Sequence, residues 1–135
     1  MRVTIVDDNR QFRESLEIYL SMRLGYQVIG NYENAKTFLK STEVYKSDIV
    51  LMDIEMPDIN GIEATKQAIW MNKDLHVIAV TNYQDRAYLT TLITAGFKGC
   101  VFKNNVFEEL NSAINKVNNG EQFFPKNIRL LDTNN

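Results

Sequence analysis

Five short apolar runs, at residues 3–6, 27–30, 49–52, 77–80 and 100–102, punctuate the chain, and helical patterns fill the intervals between them. This alternation constrains the fold more than any other feature of the sequence. The runs are rich in Val and Ile and too short for helices, so they read as strands. Three of them are almost unbroken in apolar character, as expected of strands covered on both faces of a parallel sheet. Between them, Phe12, Leu16, Tyr19 and Leu20 recur at helical spacing, with Asp8 or Asn9 placed to cap the helix. Ala35, Phe38 and Leu39 mark a shorter second helix, and Ile62, Thr65, Lys66 and Ile69 a weaker third, opened by Asn60-Gly61. Leu89, Leu92 and Ile93 mark a fourth, ended by Gly96. Leu110, Ala113, Ile114 and Val117 mark a fifth, closed by Gly120.

A β-α unit repeated five times implies parallel strands joined by right-handed crossovers, with helices on both faces. The expected class is α/β: a doubly wound five-stranded parallel sheet, order 2-1-3-4-5, with five helices. At 135 residues the chain has room for one such domain and its core. Residues 1–120 form that unit. The stretch 121–135 contains Phe123, Phe124, Pro125, Ile128, Leu130 and Leu131 before fading into Asp-Thr-Asn-Asn. It reads as a C-terminal tail, or as the start of a linker to an output domain absent from these residues, poorly ordered beyond Leu131.

Composition removes several function classes. Lys plus Arg number 15 against 17 Asp plus Glu, so the basic excess of a nucleic-acid module is missing and direct nucleic-acid binding is not expected. The single Cys100 excludes an internal disulfide and fits a reducing cytoplasm. No apolar run reaches the length of a membrane span, and the first residues meet Asp7-Asp8 too soon for a signal peptide.

The chemistry lies just past the strands. The first run is followed by Asp7-Asp8, the third by Asp53, the fourth by Thr81 and the fifth by Lys103. In an open α/β sheet, ligands bind beyond the carboxyl ends of the strands, where the strand order reverses. In a 2-1-3-4-5 order that point falls between the first and third strands, the two followed by Asp. Two unit charges about 4 Å apart repel by roughly 4 kcal/mol at an effective dielectric near 20. Three clustered carboxylates therefore call for a cation, and hard oxygen ligands suit Mg²⁺. With a Lys and a Thr hydroxyl added, the set can neutralise phosphoryl oxygens during transfer.

The strings Ile-Val-Asp7-Asp8, Asp53-Ile-Glu-Met-Pro57-Asp-Ile-Asn-Gly61-Ile-Glu, Val-Thr81-Asn and Gly99-Cys-Val-Phe-Lys103 resemble a response-regulator receiver domain over residues 1 to 120. The resemblance implies a flavodoxin-like fold and a phosphoacceptor switch rather than an enzyme acting on other substrates. A partner histidine kinase would donate a phosphoryl group to Asp53. Asp8, Asp53 and the backbone carbonyl of Glu55 would bind Mg²⁺ directly, Asp7 mainly through water, and Thr81 and Lys103 would contact phosphoryl oxygens. Pro57 and Gly61 would shape the loop after Asp53, glycine by permitting a tight turn.

Three positions depart from the family. Asn82 stands where a small residue is usual, Cys100 where an aromatic is usual, and Asn104 where proline often follows the lysine. Phe102 shares a strand face with Cys100 and is expected to fill part of its space, with Tyr83 or Tyr88 closing it. Asn104, with Phe107-Glu-Glu-Leu and Gly120-Glu-Gln-Phe-Phe-Pro, is similar to receivers of regulators carrying a LuxR-type helix-turn-helix. That likeness implies a covalently linked DNA-binding output domain and allows a homodimer. A phosphorylation-independent scaffold, an aspartate-nucleophile phosphohydrolase and a flavin module are the competing readings. Glu55, where phosphohydrolases usually carry a second Asp, weighs against the second, and the absence of a phosphate cradle weighs against the third. His76, Trp70, Met71 and Cys100 read as structural or surface residues.

Overall fold

The computed structural model describes residues 1–82, 84 and 86–125; the expectations for Tyr83 and for the stretch beyond Leu131 fall outside them. Strands β1 (Arg2–Val6), β2 (Gln27–Tyr32), β3 (Ile49–Met52), β4 (Val77–Thr81) and β5 (Gly99–Phe102) alternate with helices α1 (Arg10–Ile18), α2 (Ala35–Lys40), α3 (Gly61–Met71), α4 (Arg86–Ala95) and α5 (Val106–Asn118). All strand pairs are parallel and the order is β2-β1-β3-β4-β5, as expected. The reversal lies between β1 and β3.

Every residue of β3, β4 and β5 is buried, which is why these strands lack alternation. One core layer joins Leu16, Leu20, Leu110, Ile114 and Val117 of the α1 and α5 side to Val3, Ile5 and Val101. The other joins Phe38, Ala64, Ala68, Leu89 and Leu92 of the α2 to α4 side to Val6, Met52, Cys100 and Phe102. Each large side chain fully buried in this way contributes about 1.5–3 kcal/mol.

Four details differ from the sequence pattern. Helix α3 buries Gly61, Ala64, Thr65 and Ala68, whereas Ile62 and Ile69 are only half-buried, because small residues let the helix lie close to the sheet. On α4, Leu89 and Leu92 are buried but Ile93 is largely exposed. Helix α1 widens into a π turn over Tyr19–Arg23, and β2 carries an irregularity opposite Val3 and Thr4. Trp70 is 87% exposed, so it is a surface residue. Among the described residues, no helix is long and apolar enough to cross a membrane.

Candidate functional site

Each candidate residue is delivered by the end of a strand. Asp7 follows β1 and Asp53 follows β3; Thr81 is the last residue of β4, and Lys103 follows β5. A backbone bond locks the two acidic ends together, the Asp53 N–H donating to the Val6 carbonyl at 2.8 Å, and the Asp7 N–H ties the end of β1 to β2 by donating to the Tyr32 carbonyl at 3.0 Å. Carboxylate oxygens of Asp7, Asp8 and Asp53 lie within 4.8 Å of one another. Asp7, Asp53 and Thr81 are buried, while Asp8 is exposed.

Asp8 is not the cap of α1. Asn9 is: its side chain accepts from the Phe12 N–H at 3.0 Å, which leaves the Asp8 carboxylate to the cluster. Asp7 is oriented by the Asn9 N–H donating to its Oδ1 at 2.8 Å, and Asp53 by the Ile54 N–H donating to its Oδ1 at 2.9 Å.

Lys103 Nζ lies 2.9 Å from Asp7 Oδ2 and 3.6 Å from Asp53 Oδ1. It also sits 4.6 Å from the centre of the Phe12 ring, a cation–π contact that holds the ammonium over the acids. Sequence reading missed Phe12, because its place in the helical pattern matches any core residue. Asp7 Oδ2 is buried and held by its ion pair with Lys103 alone, with no further hydrogen-bond partner among the described residues.

The charges are unequal, and Asp53 carries the consequence. Its carboxyl is raised from an ordinary 3.8 to about 7, first by burial and then by the Asp7 charge; Lys103 pulls it down, and Asp8 pushes it up again. Three carboxylates converge here, with Lys103 paired to Asp7 and Asp53, and a hard dication would offset the remaining negative charge. The donor set fits Mg²⁺.

A cavity of about 740 Å³ opens over this cluster, bordered by Asp8, Asn9, Asp53, Glu55, Thr81, Asn82, Tyr88 and Lys103. Glu55 and Asn82 are exposed on its rim. Half-buried Tyr88 has its hydroxyl pushed up by burial first, then by the Glu55 and Asp53 charges, which places it electrostatically in the site. Phe102 shares the buried layer of Cys100, and Tyr88 packs against that layer. The Cys100 thiol, pushed up to about 12 chiefly by burial, stays protonated at neutral pH.

Gly61 serves differently from the sequence expectation. Its φ is not positive, but a Cβ there would lie 2.0 Å from the Asp53 carbonyl oxygen. Its N–H donates to the Ile54 carbonyl at 2.8 Å. The glycine therefore provides clearance, letting the first turn of α3 press directly against the backbone of Asp53.

A family model described as response regulator receiver domain matches residues 3–115. The chain is 34% identical over 128 residues to response regulator GacA of Pseudomonas viridiflava, covering 95% of this chain and 60% of that protein. It is 31% identical over 120 residues to transcriptional regulatory protein DegU of Brevibacillus brevis, covering 89% and 51%. The chain thus spans between half and three-fifths of the curated relatives it matches. A solved two-component response regulator of the LuxR family from Aurantimonas sp. SI85-9A1 superposes with a TM-score of 0.87 at 28% identity, covering 96% of this chain and 92% of that one. With most of its length matched and an acidic cluster seated where the strand order reverses, the chain belongs to the response regulator receiver domain family.

Proposed function

We propose that the protein is a phosphoacceptor switch of a two-component system, taking a phosphoryl group from a histidine kinase onto Asp53. One observation carries this reading: Asp53 lies at the base of an open cavity, raised to about 7 by burial and Asp7, with a lysine ammonium 3.6 Å away. In the transfer, an Asp53 carboxylate oxygen attacks phosphorus in line. The new O–P bond forms as the P–N bond to the donor imidazole breaks, and the electron pair stays on nitrogen. The nucleophile is the ionised carboxylate. Lys103 favours that form, and the raised basicity makes it a stronger nucleophile once ionised.

In this reading Asp8, Asp53 and the backbone carbonyl of Glu55 would hold Mg²⁺, with Asp7 holding it mainly through water. When bound there, Mg²⁺ would supply positive charge against the phosphoryl group and the carboxylates. The Thr81 hydroxyl and Lys103 Nζ contact phosphoryl oxygens, while Asn82 on the rim sets the access of water. The chain assists only its own phosphorylation and dephosphorylation. The name of DegU, a transcriptional regulatory protein, supports extending the proposal to a regulator in which this unit is covalently linked to a DNA-binding output domain; a cytoplasmic location and a homodimer are proposed with it.

The test is intact mass after incubation with a small-molecule phosphodonor, with and without Mg²⁺, for wild type and Asp53→Asn. A single Mg²⁺-dependent phosphoryl adduct, absent from the variant, is expected. An unmodified wild type would instead support a phosphorylation-independent scaffold.

A further inference from the structure

Helix α5 closes with paired bonds that turn the chain back: the Glu121 N–H donates to the Lys116 carbonyl at 2.9 Å and the Gly120 N–H to the Val117 carbonyl at 3.0 Å. Gly120, at φ +89°, makes this turn available. The chain then runs along the outer edge of β5. The Phe123 N–H donates to the Lys98 carbonyl at 3.1 Å and its carbonyl accepts from the Cys100 N–H at 2.8 Å, a one-residue parallel bridge opposite Gly99. A Cβ at Gly99 would lie 3.0 Å from the Phe123 carbonyl oxygen, so glycine makes room for this approach.

Successive side chains of an extended segment point to opposite faces. Accordingly, Phe123 packs on the α1 and α5 core layer and Phe124 on the α2 to α4 layer. Lys116 Nζ lies 5.9 Å from the Phe123 ring centre. Pro125 has no N–H to continue the ladder. Residues 121–125 thus form a short strap on the sheet edge, with a foothold in each core layer.

The strap and the turn that carries the site lysine line one cavity of about 500 Å³. Its walls include Phe102, Asn104, Asn105, Glu109, Phe124 and Pro125. Asn104 and Asn105 belong to the 3-10 turn Lys103–Asn105, so one short turn has Lys103 in the acidic cluster and its next two residues facing the strap. Phe102 shares its buried layer with Phe124.

We propose that residues 121–125 are a transmitting strap: the state of the Asp53 site fixes or frees Lys103, and the turn and Phe102 pass that state to Phe123 and Phe124. The proposal rests on the phosphoacceptor reading above. In the unloaded site, Lys103 is shared between Asp7 and Asp53. Loading commits Lys103 to one position, stiffens the end of β5 and tightens the strap. Coupling between sites is reciprocal, so a weakened strap must weaken loading by the same factor.

The experiment uses the 135-residue chain, Mg²⁺ and beryllofluoride as a phosphoryl mimic. Amide hydrogen exchange at Phe123 is followed with and without the mimic, and mimic affinity is titrated in wild type, Phe124→Ala, Phe123→Ala and a Trp70→Ala control. Loading is expected to slow exchange at Phe123 by at least about fivefold, the low end of typical inter-site couplings. Phe124→Ala, folded by its amide spectrum, is expected to lose affinity by a similar factor while Trp70→Ala does not. If wild type binds the mimic but Phe123 exchange and Phe124→Ala affinity are unchanged, the strap is passive packing and the proposal is overturned. If wild type binds no mimic and forms no phosphoryl adduct, the phosphoacceptor reading falls first and the strap proposal with it.

Discussion

Strand β3 carries an aspartate at each end, and the two meet opposite fates. Asp48, just before the strand, accepts the Arg2 backbone N–H at 2.7 Å and pairs with the Arg2 side chain at 3.7 Å, about a third exposed to water. Asp53, just after it, is buried beside Asp7, with Lys103 as a shared counter-charge, and is pushed up to about 7. The first arrangement satisfies a carboxylate. The second leaves one strained by its neighbours, a condition that persists only because the rigid ends of β1 and β3 hold it. The amino edge of the sheet is built for stability, and the carboxyl edge holds charge that a ligand can relieve.

Breaking the strained member should have the largest effect. Asp53→Asn is expected to abolish the phosphoryl adduct, while Asp48→Asn leaves it at the wild-type level; intact mass decides both. The next effect is on pH dependence. Asp53 binds its proton more tightly when folded than when unfolded, so its contribution to stability is full below the unfolded value of 3.8. That contribution is lost as pH rises toward about 7. Metal-free wild type should therefore lose a few kcal/mol across that window, and Asp53→Asn should lose much less, in denaturant titrations at fixed pH steps. Mg²⁺ should flatten the wild-type curve.

Lys103→Met sharpens the comparison from the other side. It leaves Asp7 and Asp53 without their shared cation, and is expected to destabilise the metal-free protein at pH 8 by about 2–4 kcal/mol in chemical denaturation. Asp8→Ala should lower Mg²⁺ affinity at least about tenfold in a titration, yet raise the metal-free melting temperature slightly, since one of three like charges is gone. A marked loss of stability would instead make Asp8 a structural residue. The smallest effect belongs to the satisfied aspartate: Asp48→Asn should cost under about 1 kcal/mol, as exposed pairs do.

The sheet order and the site's strand-end residues were legible in the sequence because both follow from short-range pattern. An apolar run fixes a strand, and the residue after it falls at the carboxyl edge. What could not be read depends on distant packing. Asn9 rather than Asp8 caps α1, although either side chain suits the position. Phe12 lies under Lys103, which requires α1 and β5 to be placed first. The register irregularity opposite Val3 and Thr4, and the half-burial of Ile62 and Ile69, are settled by how closely elements approach. The seat of Phe123 beside Gly99 was not legible for the same reason: a docked tail could be read there, but not the strand edge it lies on.

The clearance at Gly61 also bears on how this sequence can drift. Position 61 touches neither metal nor phosphoryl group in the proposed mechanism, so a survey of site residues would treat it as neutral ground. Yet even a methyl group there would stand 2.0 Å from the Asp53 carbonyl oxygen, forcing either the helix or the acceptor's main chain to give way. A single-step change to Ala could therefore leave every titratable residue in place and still silence the protein. The vulnerability of this receiver to mutation extends beyond its charged residues to one position whose contribution is empty space.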